Sequence, residues 1–262
     1  MAQPHVLILR APGTNCDVET AFAFQRAGAK TETLHVNRLL DTPALFERFQ
    51  ILCIPGGFSY GDDIAAGRIL GNQIDHHLAG RLAEFKADGK LILGICNGFQ
   101  VLLKSDVLLE RDAVSGPPAT LTGNDSGKFE DRWVCLEADA HGAGCVFLAG
   151  IRAMYLPVAH GEGKFVTRDA ETLRRLEAHG QLVLRYVAQS TPGQTPAPYP
   201  DNPNGSMAGV AGICDATGRV FGLMPHPERH VDPTQHPRWT RGQASPMGDG
   251  LQVFVNAVEY FG

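Results

Sequence analysis

Two rhythms of apolar and polar residues divide the first hundred positions. His5–Leu9, Ile51–Ile54 and Leu91–Ile95 are short, nearly unbroken apolar runs of strand length, the pattern of strands covered on both faces. Thr31–Val36 reads as one more strand. Between them the period lengthens. A helix is expected from about Asp17 to Ala27, with Val18, Ala21, Phe22 and Gln25 on one face and Gly28 ending it. A short helix is expected near Pro43–Phe49. A long one follows, with Ile74, Leu78, Leu82 and Phe85 as its apolar face and Asp88-Gly89 as its close. Strand and helix alternate, which implies a parallel sheet with right-handed crossovers.

From Ser115 the rhythm changes. Pro117, Pro118, Gly123 and Asn124 mark loops, and Trp133–Glu137, Ile151–Val158, Leu182–Val187 and Val220–Met224 read as strands. Short strands in succession predict an antiparallel extension on one side of the parallel core. Thr191–Asn204, rich in Pro and Gly, reads as a surface loop, and Asp232–Gly248 as a second irregular stretch. Leu251, Phe254, Val255 and Val258 fall at i, i+3, i+4 and i+7 of a last helix, with Asp249 as its expected cap. Repeats and a clear linker are both absent from the sequence, so residues 1–262 read as a single α/β domain.

Composition narrows the function. The net charge of −5, without a basic block, argues against nucleic acid and membrane surfaces as partners. No apolar run approaches the roughly 20 residues of a membrane span. Met1–His5 lacks a signal-peptide layout. The six cysteines (16, 53, 96, 135, 145 and 214) are scattered without a C-x-x-C pair. Zinc spacing is therefore missing, a disulfide framework is not expected, and a reducing cytoplasm is the simplest setting. Cys53 reads as core and Cys135 as a strand residue.

The candidate chemistry centres on Gly94-Ile95-Cys96-Asn97-Gly98, which follows an apolar strand and precedes the helix-compatible Phe99, Val101, Leu102 and Leu103. This is the layout of a nucleophile elbow, with Cys in place of the usual Ser. The glycines permit a tight, strained turn. The helix start aims free N–H groups and a positive dipole end at the sulfur. The plainer alternative is a buried cysteine between two loop glycines.

A nucleophilic cysteine needs a base, and the base needs an orienting group. Met224-Pro225-His226-Pro227-Glu228 follows a predicted strand. In an extended chain His226 and Glu228 point the same way, and the flanking prolines favour that conformation. The chain holds ten histidines. His76 and His77 read as helix surface, and His230 and His236 as loop residues. His160, in His160-Gly161-Glu162-Gly163, suits close backbone approach to a ligand better than a base role. The order Cys…His…Glu differs from the Ser…Asp/Glu…His order of α/β-hydrolases.

These residues together resemble the class I glutamine amidotransferases, on Gly94–Gln100 and Met224–Glu228. Within the class the chain is most similar to glutaminase subunits of phosphoribosylformylglycinamidine synthase. The narrowing rests on Pro12–Asp17, Gly56–Asp63, His160–Gly163 and Asn202–Ser206. The resemblance implies a flavodoxin-like open parallel sheet flanked by helices, with the antiparallel extension. It implies Cys96, His226 and Glu228 as a triad cleaving the side-chain amide of L-glutamine. Oxyanion donors would come from Asn97 and from Gly57 or Phe58. Gln100, Gly161 and Gly163 would hold substrate, and no metal is needed. ATP and Mg are expected on a larger PurL-type synthase subunit, accompanied by a small PurS-type subunit. Alternatives are service to another synthase, a DJ-1/PfpI-like cysteine hydrolase, and a non-catalytic scaffold.

Overall fold

The computed structural model describes residues 3–62, 65–139, 144–188, 196–242 and 245–262. The apolar runs become parallel strands: β1 (His5–Arg10), β2 (Lys30–His35), β3 (Ile51–Ile54) and β4 (Leu91–Ile95). The intervening helices are α1 (Asp17–Arg26), α2 (Val36–Asp41) and α3 (Arg68–Ala87), and α4 (Asn97–Lys104) follows β4. Ile74, Leu78, Leu82 and Phe85 of α3 are all buried, as their spacing predicts. Every residue of β3 and of β4 is buried, the mark of strands covered on both faces.

The second half supplies β5 (Ala119–Thr122), β6 (Glu130–Ala138), β7 (Ala153–His160), β8 (Lys164–Thr167), α5 (Ala170–Ala178), β9 (Leu184–Val187), β10 (Val210–Cys214), β11 (Val220–Leu223) and α6 (Leu251–Glu259). Among the described residues the main sheet has nine strands in the order β2-β1-β3-β4-β11-β10-β9-β6-β7. β2, β1, β3, β4 and β11 run parallel. β10, β9, β6 and β7 continue it in antiparallel fashion. The expected extension therefore lies on one side of the parallel core. A separate antiparallel ribbon pairs β5 with β8. Among the described residues, no helix is long and apolar enough to cross a membrane.

One consequence of this order places the chemistry. β3, β4 and β11 are lateral neighbours, and their registers align Ile54 with Gly94 and Leu223 with Ile95. Their carboxyl ends therefore emerge side by side. The chain leaves them at Gly56-Gly57, at Cys96 and at His226, the edge where open α/β sheets build their sites.

Four sequence expectations change. α1 turns Asp17, Thr20, Ala23 and Phe24 inward, while Val18 is 75% and Phe22 47% exposed. The buried face is shifted because Ala23 and Phe24 pack under the sheet, Phe24 edge-on to Phe254 of α6. Val36 begins a helix, since the His35 side chain accepts a hydrogen bond from Asn37 N–H and caps it. Asp249 does not cap α6: its carboxylate accepts from Tyr155 N–H and Ser245 Oγ. The stretch 196–206 is no simple surface loop, because Asn202, Asn204 and Ser206 are buried. Asp63, residues 191–195 and residues 243–244 of the quoted segments lie outside the described residues.

Candidate active site

Cys96 sits at φ 51°, ψ −105°, between β4 and the first turn of α4. A non-glycine residue there is strained and persists only where its surroundings enforce it. The enforcement is visible. Cys96 N–H donates to Leu223 O of β11 at 2.8 Å, and Cys96 O accepts from Phe99 N–H at 3.0 Å. A Cβ on Gly98 would lie 1.8 Å from Ile54 O, and one on Gly94 would lie 2.7 Å from Gly98 O. The two glycines let α4 press onto β3 and β4 and force the turn. The sulfur is nearly buried, with Ala159 O of β7 at 3.7 Å.

His226 leaves the end of β11, its N–H bound to Pro157 O at 2.9 Å. Its Nδ1 lies 2.6 Å from Glu228 Oε1, and both side chains are fully buried. The contact forms differently from the extended chain expected. Pro227–Arg229 is a 3-10 turn with Pro227 at its first position and His226 as its cap. The ring-fixed φ of proline suits a helical first turn, so the pair meets across one tight turn. Burial disfavours the imidazolium, but the facing Glu228 carboxylate and the Cys96 sulfur outweigh it and raise His226 well above the usual histidine range. Among the described residues, His226 Nε2 and Glu228 Oε2 are buried without a hydrogen-bond partner. Nε2 is the atom left for a proton shared with the sulfur and a leaving group.

The turn Gly56-Gly57-Phe58 runs alongside. Phe58 N–H already donates to Gly13 O at 2.9 Å, and Gly57 holds φ 141° in an isolated bridge with Thr14. Asn97 ties this turn to the elbow: its Oδ1 accepts from Ser59 N–H at 3.2 Å and its amide donates to Gln100 Oε1 at 2.9 Å. Gln100 Nε2 donates to Glu162 O at 2.6 Å. Both ends of the Gln100 amide are thus engaged within the chain, fixing the Gly161–Gly163 loop.

That loop is braced from its other side. His160 is buried, and its Nδ1 lies 3.1 Å from Asn124 Oδ1, which also accepts from Gly163 N–H. A Cβ on Gly163 would sit 2.4 Å from the His160 ring, so only glycine fits beneath it. Asn204 and Ser206 donate to Gly163 O. Burial and the nearby His226 charge lower His160 to about 4, so it is neutral near pH 7. Gly163 thus has both its N–H and its carbonyl bound inside the protein, while Gly161 O accepts from Asn124 N–H. His76 and His77 are exposed, as read from the sequence. His230 is buried, its Nδ1 on Tyr155 O.

Sequence reading missed Asn124, taken as a loop marker, and gave Cys16 no role. Cys16 Sγ, a His226 ring nitrogen and a Glu228 oxygen lie within 4.8 Å of one another. Its place in the Pro12–Asp17 motif is the signal in the sequence that points to it.

With this geometry in place, the comparisons are consistent. The chain matches the CobB/CobQ-like glutamine amidotransferase domain over residues 3–261. It is 46% identical over 260 residues to phosphoribosylformylglycinamidine synthase subunit PurQ of Dehalococcoides mccartyi, covering 99% of this chain and 98% of that one. It is 41% identical to the protein of the same name from Methanococcus maripaludis, covering 98% and 97%. Among solved structures it superposes on a chain of PurLQS from Thermotoga maritima with a TM-score of 0.72, at 30% identity and over 100% of both chains. A glutamine amidotransferase of the same organism, at TM-score 0.54 and 16% identity over 100% and 98%, shares the fold.

Proposed function

The chain belongs to the CobB/CobQ-like glutamine amidotransferase family, and we propose that it is the glutaminase subunit of phosphoribosylformylglycinamidine synthase. Full-length similarity to two PurQ subunits and to a PurLQS chain supports this reading. The observation that carries the chemistry is the buried His226–Glu228 pair, 2.6 Å apart, in the turn that follows the strand beside the elbow of Cys96.

Cys96 thiolate attacks the side-chain amide carbon of L-glutamine. The carbonyl oxygen becomes an oxyanion held by Asn97 N–H and by a donor of the Gly57-Phe58 turn. In the conformation described, the Gly57 N–H suits this better, since that of Phe58 is bound to Gly13 O. Each such donor contributes about 3–4 kcal/mol in comparable sites. His226 gives its proton to the departing nitrogen, the C–N bond breaks, and ammonia leaves a glutamyl thioester. Water, deprotonated by His226, then cleaves the thioester to glutamate and restores the thiolate. Glu228 keeps the imidazole oriented and balances its charge. Gln100 shapes the Gly161–Gly163 wall against which glutamine lies. No step uses a metal.

The ammonia passes to a larger PurL-type subunit, with a PurS-type subunit in the assembly. ATP and Mg belong to that partner, which converts formylglycinamide ribonucleotide to formylglycinamidine ribonucleotide. The cytoplasm is the setting. The His-Pro-Glu turn beside the elbow favours this reading over a DJ-1/PfpI-like hydrolase. The test is reconstitution with the PurL- and PurS-type subunits, ATP, Mg, glutamine and formylglycinamide ribonucleotide. Formation of the amidine with one glutamate per turnover is expected. A complex that assembles but uses only added ammonia would overturn the proposal.

A further inference from the structure

Cys16 is a thiol packed on the catalytic pair that the reaction above leaves unused. It stands at the N-terminal end of α1, 1% exposed, with its N–H donating to Gly56 O at 3.3 Å. Its S–H donates to Asn15 Oδ1 at 3.2 Å. Its sulfur accepts a hydrogen bond from Arg229 Nη2 at 3.1 Å. Arg229 follows Glu228 directly, and its Nε lies 4.0 Å from Glu228 Oε1, the oxygen bound to His226. A Cβ on Gly56 would lie 3.1 Å from the Cys16 sulfur and 2.8 Å from His226 Cε1, so sulfur and imidazole share one wall.

Sulfur, nitrogen and oxygen at such spacing form a set that a thiophilic cation could use. The guanidinium beside the sulfur argues against that use, because it already brings the positive charge. What remains is a chain of contacts from α1 to the acid of the triad.

We propose that Cys16 and Arg229 act as a positioning pair. The buried thiol anchors the Arg229 guanidinium beside Glu228, and the guanidinium holds that carboxylate in line with His226 Nδ1. A competing anchor exists: Glu19 Oε1 lies 3.6 Å from Arg229 Nη2, and both side chains are about one-third exposed. Without the thiol, Arg229 has a solvent-side carboxylate to turn to, and the cation beside Glu228 is lost. Cys suits the place because sulfur accepts a bond from the guanidinium yet costs little to bury against Gly56 and the ring edge. The inference rests on the triad reading above.

The test uses the reconstituted complex. Cys16→Ala and Arg229→Met should each lower the glutaminase kcat by about 10- to 100-fold, the scale of a small misplacement of a reacting group. KM for glutamine should stay within about twofold, and ammonia-dependent synthesis should be unchanged. The double variant should be no worse than the poorer single one, the signature of residues acting as a unit. Cys16→Ser should recover much of the loss. If Cys16→Ala fails to fold, Arg229→Met and Arg229→Lys against Cys16→Ser carry the same comparison. Wild-type kcat, fully additive losses, or an equal fall in ammonia-dependent activity would each overturn the proposal. Cys96→Ala, run alongside, separates this from failure of the triad reading: a Cys96→Ala complex that still cleaves glutamine defeats that reading itself.

Discussion

His226 Nδ1 and Glu228 Oε1 stand 2.6 Å apart across a single 3-10 turn, both sealed from water. The second carboxylate oxygen has no hydrogen-bond partner among the described residues. The bond to Oε1 keeps a proton on Nδ1 throughout, so the proton that moves is the one on Nε2, which faces the chemistry. Glu228→Gln should keep the fold, by circular dichroism, and lower glutaminase turnover by several orders of magnitude. The comparable change in a serine protease triad costs about 10⁴-fold, because the base takes the wrong tautomer. A loss below about tenfold would make Glu228 a bystander.

Cys96→Ala should abolish glutamine-dependent amidine formation in the complex and leave ammonia-dependent formation intact. In the proposed mechanism Cys96 only liberates ammonia, and the acceptor chemistry belongs elsewhere. Assays with glutamine and with ammonium chloride on the same preparation check this. Loss of both in an assembled complex would mean that the sulfur has a structural duty as well.

His160 makes acid stability measurable. Its pKa falls from 6.5 to about 4 on folding, through burial and the His226 charge. The unfolded chain therefore binds more protons between those values, and stability rises with pH across that window. At about 1.4 kcal/mol per unit, neutral burial makes a difference of about 3 kcal/mol between its two ends. His160→Gln, which keeps a donor for Asn124, should flatten the unfolding free energy between pH 6.5 and 4 relative to wild type. His226, raised rather than lowered, contributes the opposite slope at higher pH, so the comparison must be the difference between the two proteins. Parallel curves would show that the depression of His160 is not a determinant of acid stability.

What the sequence disclosed follows from how locally each feature is encoded. β3, β4 and the elbow were legible because strands buried on both faces are unbroken apolar words, and Gly94 and Gly98 punctuate them. α1 was located but its face misread, since Val18 and Phe22 look like core while Asp17 and Thr20 are the buried pair. α5 escaped because its first turn is held by Asp169, accepting from Thr172 N–H at 2.7 Å, with little apolar pattern behind it. Among the described residues β5 and β8 pair only with each other. Asn124, Asn202 and Asn204 read as loop residues, the usual place for asparagine. Here Asn124 and Asn204 support backbone at the site, and no local pattern announces a partner some forty residues away, while Asn202 braces Ser206 four residues on.

On the proposed reading the sequence contains a complete amide-cleaving set, and it has no G-x-x-x-x-G-K-[ST] phosphate loop. Free ammonia is protonated near neutral pH and loses its nucleophilicity, so cleavage without a waiting acceptor wastes glutamine. A gate is expected, and the turn at Gly57-Phe58 has the means. Phe58 N–H donates to Gly13 O at 2.9 Å, so one candidate oxyanion donor is turned away from the elbow. Gly57, at φ 141°, can accept a peptide rotation that a side chain would resist. The turn is also held by Asn97, whose Oδ1 accepts from Ser59 N–H and whose amide donates to Asp62 Oδ1 at 3.3 Å. The Phe58 ring is 43% exposed and 6.3 Å from that of Phe129, so a docking subunit has a handle on this peptide. Bringing one more N–H to the oxyanion supplies about 3 kcal/mol, or roughly 100-fold in rate. The isolated chain should therefore be a poor glutaminase, rising by about that factor with the synthase subunit, its nucleotide and formylglycinamide ribonucleotide. Steady-state release of glutamate, with and without those additions, decides it. Full activity from the isolated chain would remove the gate, leave the triad standing, and make ammonia release independent of any acceptor.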